Sequence, residues 1–139
     1  MAQNSLLRAG GLGIIGALIL VFITFLIADA VSGPLSVTPP GGDGPEALAI
    51  GDTIVPTVLG GLIGVGLAAL TRRFFSNPSR VFIGICIAGL ILYGIAPFSA
   101  AEETATAIWL NVMHIAAAIP IVGLLSRWLD ASQAPDPTT

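Results

Sequence analysis

Polar side chains are rare in the apolar parts of this sequence, and the few that occur there are the residues that could do chemistry. His114 is the single histidine, and Asn111 precedes it by three residues, on the same face if the segment is helical. Tyr93 lies near the end of another apolar segment, while Asp29 and Asp52 lie at the ends of two more. Because polar groups are costly in lipid and tend to mark function, these five are candidates for a ligand site or a polar network.

Three roles for His114 are compatible with the sequence. A neutral imidazole could form a hydrogen bond between helices and fix their packing. It could instead be an axial ligand of haem iron or chlorophyll magnesium, since imidazole is a common metal ligand. A third role is a proton relay with Asp29 or Asp52 as exchange partner. The simpler interpretation of both aspartates is that they are solvated helix-end residues, with Asp52 as an N-cap.

Other chemistries lack their sequence motifs. No cluster of histidine, cysteine and acidic residues has metal-site spacing, and this lysine-free chain has no phosphate-binding loop. There is no Gly-x-Ser-x-Gly elbow, and the single cysteine, Cys86, cannot form an internal disulfide. We therefore expect a protein that is not an enzyme, holds no metal cluster and binds no nucleic acid, and whose cofactors, if any, are unknown.

Four apolar segments must position the candidate residues. Of the 139 residues, 55% are hydrophobic and 9% are charged, against roughly 25% charged in soluble domains. Each segment is close to the ~20 residues that cross a bilayer as a helix. The sequence predicts an all-α, four-helix transmembrane bundle in a single domain, residues 1–129. Its helices are expected at about 6–31, 49–71, 79–98 and 100–127, followed by a polar flexible tail at 130–139.

Turn residues support these boundaries. Gly33-Pro34 is typical of a helix end, and Asn77-Pro78 of a helix start. The run from Ser99 to Glu102 has the pattern of a capping box for the fourth helix. The segment Ala28-Asp29-Ala30 loosely resembles a signal-peptide cleavage site, but the apolar run before it is long, so we expect the first helix to be retained.

The arginines predict the orientation in the membrane. All five lie before the first apolar stretch, which begins near Leu12, between the second and third, or after the fourth, which ends near Leu125; they are Arg8, Arg72, Arg73, Arg80 and Arg127. Basic residues accumulate on the cytoplasmic side, and an even number of spans leaves both termini on one side. We therefore expect a multi-pass protein of the cytoplasmic (inner) membrane with both termini in the cytoplasm.

Small residues predict how the helices pack. Gly60 and Gly64 in the second helix, and Gly84 and Ala88 in the third, have the small-xxx-small spacing that allows close approach of helices in lipid. The pairs could pack the four helices against one another. They could also form a face for a partner subunit or a second copy.

The order of these features resembles a known family. An Arg-led first helix, a Pro/Gly loop, a Gly-rich second helix ending in Arg72-Arg73 and the segment Leu110-Asn111-Val112-Met113-His114 follow one another. This pattern resembles a family of small four-helix bacterial membrane proteins catalogued only as a domain of unknown function. The resemblance implies the four-helix architecture and no activity, and it draws attention to Met113-His114.

The sequence thus favours a small, non-catalytic accessory or structural subunit that packs in a larger membrane assembly. Its expected partners are the lipid bilayer and other membrane subunits or further copies of itself. One alternative is a small oligomeric transporter or proton-coupled carrier that uses a polar cluster in the outer half of the bundle. The other is a cofactor or lipophilic-ligand binder centred on His114.

Overall fold

The fold is a bundle of four membrane-spanning helices. The structure is a computed structural model that describes residues 2–39, 41–101 and 103–133. Its elements are α1 (Ala2–Ser32), β1 (Ser36–Val37), β2 (Glu46–Ala47), α2 (Ile50–Phe74), α3 (Pro78–Tyr93), α4 (Ala96–Ala100) and α5 (Thr104–Ala131). In this part of the chain, α1, α2, the segment Pro78–Ser99 and α5 are long and apolar enough to cross a membrane. The predicted all-α four-helix bundle is confirmed.

Helix α5 is the centre of the bundle. It packs against α1 along an extensive interface and also contacts α2, α3 and α4. Helix α2 packs against α1 and α3, whereas α1 and α3 lie diagonally opposite with no extensive contact. Any side chain on α5 therefore faces one of its neighbours or the membrane, depending on its position around the helix.

The tightest packing lies at the end of the bundle that carries the arginines. Five apolar side chains from four helices are completely buried there, namely Ala17, Ala68, Phe82, Leu125 and Leu129. A smaller buried cluster at the opposite end consists of Ala28, Leu35 and Met113. Helix α3 contributes to the first cluster and not to the second, so its far end is held less firmly.

Glycines bring α1 and α2 close to their neighbours. A Cβ added at Gly13 would lie 3.1 Å from the Cα of Ile121 in α5, so the two backbones are in near contact. A Cβ at Gly61 of α2 would overlap the side chain of Ile14 in α1 and lie 3.6 Å from Ile121 Cδ1. These positions allow the close approach that holds helices together in lipid.

Only one of the four small residues predicted to pack helices lies inside the bundle, and for the other three a contact with a partner subunit or a second copy stays a prediction. Gly64 lies within the bundle, where an added Cβ would be 3.1 Å from Ile121 Cγ2. Gly60, Gly84 and Ala88 instead lie on the outer surface, and a Cβ at either of the two glycines would meet nothing within 4 Å. The reason is helix periodicity, because the buried stripe of α2 follows the order Thr57, Gly61, Gly64, Ala68, Thr71.

The connection between the third and fourth spans also differs from the prediction. The third helix ends at Tyr93 because Pro97 has no N–H with which to bond the Tyr93 carbonyl, and the short α4 follows. Ser99 belongs to α4, where its hydroxyl donates to the Ala96 carbonyl, so it does not cap the next helix. Glu102, the other half of the predicted capping box, lies outside the described residues.

Helix α5 is displaced by four residues relative to the predicted fourth helix. It begins at Thr104 rather than 100 and continues to Ala131 rather than 127, so the first two residues of the expected tail are helical. Residues 134–139 of that tail lie outside the described part of the chain. Asn77 and Pro78 do open α3, and Gly33 follows α1 with a φ of 77°, as their residue types predicted.

Aromatic side chains tie the ends of the bundle together. At the arginine end, Trp128 Nε1 donates to Ser5 Oγ at 2.9 Å, and the Arg72 guanidinium lies 5.0 Å from the centre of the Trp128 ring. At the other end, Trp109 Nε1 donates to Ser32 Oγ at 2.8 Å. Both hydrogen bonds join α5 to α1, the pair of helices with the largest interface.

The connection between α1 and α2 contains a small hairpin that the sequence did not predict. Strands β1 and β2 pair antiparallel, with Ser36 opposite Ala47 and Val37 opposite Glu46. The Leu48 N–H donates to the Leu35 carbonyl at 2.8 Å, and Val37 also bridges to Ala101. The hairpin therefore rests over the bundle end at which Trp109 lies.

Candidate functional site: the α3–α5 groove

A shallow groove runs between α3 and the first half of α5. Its volume is about 260 Å³. Four apolar and two polar side chains line it, namely Ile87, Leu90, Ile91, Ile115, Asn111 and His114. We call this feature the α3–α5 groove. It contains two of the five candidate residues, and a third, Tyr93, lies beside it.

Tyr93 and His114 meet edge to face across the groove. Their ring centroids are 5.0 Å apart and the ring planes are 84° from each other. This is a favourable arrangement for two aromatic rings. Tyr93 occupies the last position of α3 and remains 59% exposed, so its hydroxyl end is accessible from outside the bundle.

Asn111 connects α5 to the end of α3. Its side-chain nitrogen donates to the Gly94 carbonyl at 3.2 Å and to the Ala107 carbonyl at 3.0 Å. A carbonyl oxygen accepts hydrogen bonds, so the group that faces the two carbonyls must be the NH₂ of the Asn111 side chain and not its oxygen. Both N–H groups are used, and the amide oxygen Oδ1 has no donor among the described residues.

His114 has an enclosed nitrogen without a hydrogen-bond partner. Its Nδ1 is buried and makes no hydrogen bond within the described part of the chain. The Leu110 carbonyl, one turn earlier, lies beside the imidazole, but no hydrogen bond of proper geometry joins it to Nδ1. Within the described residues Nδ1 therefore forms no hydrogen bond to another helix, and the three roles considered for His114 stay predictions. The neighbour that the ring does find across the helix interface is Tyr93.

The depth of the site follows from the two tryptophans of α5. Trp109 and Trp128 are 19 residues apart, which is about 28 Å along a helix and close to the ~30 Å thickness of the hydrocarbon layer. Tryptophans at both ends of a span are typical of the two membrane interfaces. His114 follows Trp109 by five residues, so it lies roughly 7–8 Å inside the layer. That is shallower than its distance from the predicted start of the helix suggests.

Asp29 and Asp52 do not join this cluster. Both residues are exposed, and neither carboxylate contacts Tyr93, Asn111 or His114 within the described structure. Asp52 Oδ2 accepts from the Ala49 N–H at 2.9 Å, so it caps the start of α2 from the third helical position and is not itself the N-cap. Of the five candidate residues, the described structure thus brings three together, namely Tyr93, Asn111 and His114. Among the described residues, no acidic side chain contacts His114 as the carrier hypothesis would require, and that hypothesis stays a prediction.

Two features of the site were not anticipated from the sequence. The Gly94 carbonyl accepts from Asn111 because α3 ends there, and the helix break could have been inferred from Pro97. Trp109 was not singled out, although its distance from Trp128 on one helix matches the two aromatic belts of a membrane. The apolar walls of the groove carry no sequence signal, because isoleucine and leucine occur throughout the spans.

The described residues of the site include no set of ligands for a metal ion. No group of three or more histidine, cysteine or acidic side chains in the described ranges is placed to hold a metal ion. An axial bond from His114 to a porphyrin metal needs one imidazole only, and this remains a prediction. A groove of about 260 Å³ lies below the range of pockets that enclose drug-sized ligands, so a porphyrin would extend into the surrounding lipid.

The fold and the site define a small multi-pass membrane protein with a lipid-facing polar groove. The chain belongs to a family of unknown function, DUF6069, whose match covers residues 1–131. No curated protein and no solved structure matches the chain. The resemblance to a domain-of-unknown-function family is thereby confirmed.

Proposed function

We propose that this protein is a non-catalytic subunit that packs, through the exposed face of its third span, against a transmembrane helix of another subunit in a larger membrane assembly. We also propose that it lies in the cytoplasmic membrane with both termini in the cytoplasm. The observation that carries the first proposal is the low enclosure of the third span. Only 11% of its most apolar stretch is buried inside the bundle, compared with 28% in the first span.

The composition of this open face favours a helix rather than lipid alone as its neighbour. Gly84 and Ala88 are both exposed and lie one turn apart on α3. Glycine lowers the stability of a helix, and a Cβ added at Gly84 would meet nothing within 4 Å, so close packing inside the bundle does not require glycine here. Small residues at this spacing allow another helix to approach closely, which is how helices associate in lipid.

The available polar groups support a non-catalytic role. The α3–α5 groove contains one imidazole and one amide, and no carboxylate or thiol of the described residues lines it. Acid–base chemistry usually needs a second group that holds or orients the first. Among the described side chains that could play this part, the Tyr93 ring contacts His114, and it meets the imidazole edge to face.

The test is purification in mild detergent at native expression level, followed by mass spectrometry and a visible absorption spectrum. We expect membrane subunits to co-purify in stoichiometric amounts. Ala88→Leu, which fills the exposed face, should reduce their yield several-fold, whereas Ala69→Leu on the exposed side of α2 is a matched control that should not. A chain that purifies alone, as a monomer or a homo-oligomer, would contradict the proposal.

The orientation has a separate test. In a chain whose native cysteine is replaced by Cys86→Ser, a new cysteine at Asp43 should react with a membrane-impermeant thiol reagent added to intact cells. A new cysteine at Ser76, in the exposed turn between α2 and α3, should react only after the membrane is permeabilised. The opposite pattern would invert the proposed topology.

A further inference from the structure

We propose that the α3–α5 groove binds the hydroxyl-bearing head of a lipid-soluble molecule, with Asn111 Oδ1 and His114 Nε2 as the two hydrogen-bond acceptors. This proposal does not depend on the subunit role, because it concerns a single chain in a bilayer. It rests on the hydrogen-bonding capacity that the fold leaves unused in the groove.

The first acceptor is the amide oxygen of Asn111. The NH₂ group is committed to the carbonyls of Gly94 and Ala107, so the nitrogen and oxygen cannot exchange places without losing both hydrogen bonds. The oxygen therefore accepts no hydrogen bond from the described residues, and as an amide oxygen it can only accept. An acceptor at this depth without a donor costs free energy, because lipid chains provide no hydrogen bonds.

The second acceptor follows from the surroundings of His114. No carboxylate of the described residues contacts the ring, so in a membrane we expect the neutral form with a single N–H. Nδ1 is enclosed by protein atoms, and the Leu110 carbonyl lies close to the imidazole. A carbonyl oxygen close to a ring nitrogen favours an N–H over a lone pair at that nitrogen, and we assign the proton to the enclosed Nδ1. Nε2 then presents its lone pair and is not among the enclosed atoms.

Two acceptors in one groove select a donor. A hydroxyl group donates a hydrogen bond, whereas a ketone, an ether or an ester does not. The walls of the groove are otherwise isoleucine and leucine, and its volume of about 260 Å³ suits a head group rather than a whole lipid. The depth of roughly 7–8 Å below the Trp109 level is within reach of a lipid whose polar end lies near the surface.

The other groove in the same half of the bundle shows the difference. It is lined by Leu18, Phe22, Ile50, Thr53 and Ile54 and has a volume of about 200 Å³. Its hydroxyl group, Thr53 Oγ1, already donates to the Ile50 carbonyl at 2.7 Å. Lipid chains alone can fill this second groove, so it provides a matched control within the same molecule.

The single histidine allows a direct measurement on the unaltered chain. The protein is labelled with ¹⁵N-histidine, purified without a histidine tag and placed in phosphatidylcholine bilayers, whose lipids carry no hydroxyl group. The two imidazole nitrogens are then observed by NMR. We expect the proton on Nδ1 and an unprotonated Nε2. A proton on Nε2 instead would overturn the proposal.

The ligand class is tested by adding three probes to the same bilayers. An alkyl hydroquinone should shift the Nε2 signal until it saturates, and its dimethyl ether, which has lost the donor, should not. A diacylglycerol that shifts Nε2 at lower mole fraction would support the same chemistry and assign the ligand to membrane lipids. Equal shifts with the hydroquinone and its ether, or no shift with either hydroxyl compound, would refute it.

Two variants complete the experiment and leave the reporter intact. Asn111→Leu removes one acceptor and should weaken the response to the hydroxyl probe about tenfold, the effect expected for one buried hydrogen bond. Thr53→Val makes a similar change in the other groove and should leave the response unchanged. Equal effects of the two variants would overturn the assignment of the site to the α3–α5 groove.

Discussion

Replacing each of two adjacent glycines of α2 by alanine should have opposite consequences for stability. Gly61 faces α1, and an added Cβ would overlap Ile14 Cγ1 and lie 2.9 Å from Ile14 Cδ1. Gly60 faces outward, and an added Cβ would meet nothing within 4 Å. The two substitutions are chemically identical and lie one position apart, so they differ only in the face of the helix that receives the methyl group.

The expected difference follows from the contact distances. Carbon atoms pack best at roughly 3.5–4.0 Å, so the 2.9 Å contact is short by about 0.6 Å or more. Ile14 cannot swing away freely, because a β-branched side chain in a helix strongly prefers one χ1 rotamer. The helices must therefore separate or Ile14 must leave its rotamer, at a typical cost of ~1–3 kcal/mol for overpacking.

Comparing Gly60→Ala with Gly61→Ala removes the effect that replacing glycine has on the helix backbone, because that effect is the same in both variants. Both variants gain the ~0.5–1 kcal/mol that alanine adds to a helix relative to glycine. Gly60→Ala should therefore be neutral or slightly stabilising, and Gly61→Ala should be less stable than Gly60→Ala by about 1–3 kcal/mol. The free energy of unfolding is measured in mixed detergent micelles through the fluorescence of the two tryptophans.

A second variant identifies the contact. Ile14→Ala removes the atoms that the new methyl group would meet, so combined with Gly61→Ala it should cost less than the sum of the two single changes, by roughly 0.5–3 kcal/mol. Equal stability of the Gly60 and Gly61 variants, or strict additivity with Ile14→Ala, would show that α1 and α2 do not approach here as described.

Two further predictions concern single hydrogen bonds. Asn111→Leu should lower the free energy of unfolding by about 0.6–1.7 kcal/mol, the range for hydrogen bonds between membrane helices, because the Gly94 carbonyl loses its donor. Thr53→Val is the control, since the Thr53 hydroxyl bonds only within its own helix. An equal loss of stability in Thr53→Val would contradict the role of the Asn111 hydrogen bond. The hydrogen bond between Trp109 and Ser32 joins α5 to α1, and Trp109→Phe or Ser32→Ala should each lower the free energy of unfolding by about 1 kcal/mol. Because both variants remove the same bond, the double variant should be no less stable than either single one. Fully additive losses of stability would refute the bond.

Sequence reasoning was most reliable for the spans, because crossing a bilayer imposes a length and an apolar composition that can be read locally. For this reason the sequence predicts the number of membrane spans, which is four. It also predicts the end of α1 before Gly33 and the start of α3 at Pro78. The helix break before Pro97 is also encoded in the sequence, since proline cannot donate the required hydrogen bond, although the nearby Ser99 and Glu102 have the pattern of a capping box.

The direction in which each helix faces could not be predicted. A span that is apolar all round has no polar side to mark its outer surface, so Gly60 and Gly61 are equivalent in the sequence, yet only Gly61 lies against α1. The facing direction of the polar candidate residues could not be predicted either. The depth of His114 depends on where α5 begins and enters the membrane, and whether Asp29 and Asp52 meet His114 depends on rotation about the helix axes.

By itself, the sequence determined that this chain is a four-helix membrane protein, because hydrophobicity over about 20 residues is a local property. Only the tertiary structure decided that α3 and α5 form a groove between them. In that groove both N–H groups of Asn111 donate to carbonyls, and His114 Nδ1 is enclosed without a hydrogen-bond partner among the described residues. Those two facts depend on how neighbouring helices rotate and where one of them ends. Both are settled by the packing of small and branched side chains, which only the assembled bundle specifies.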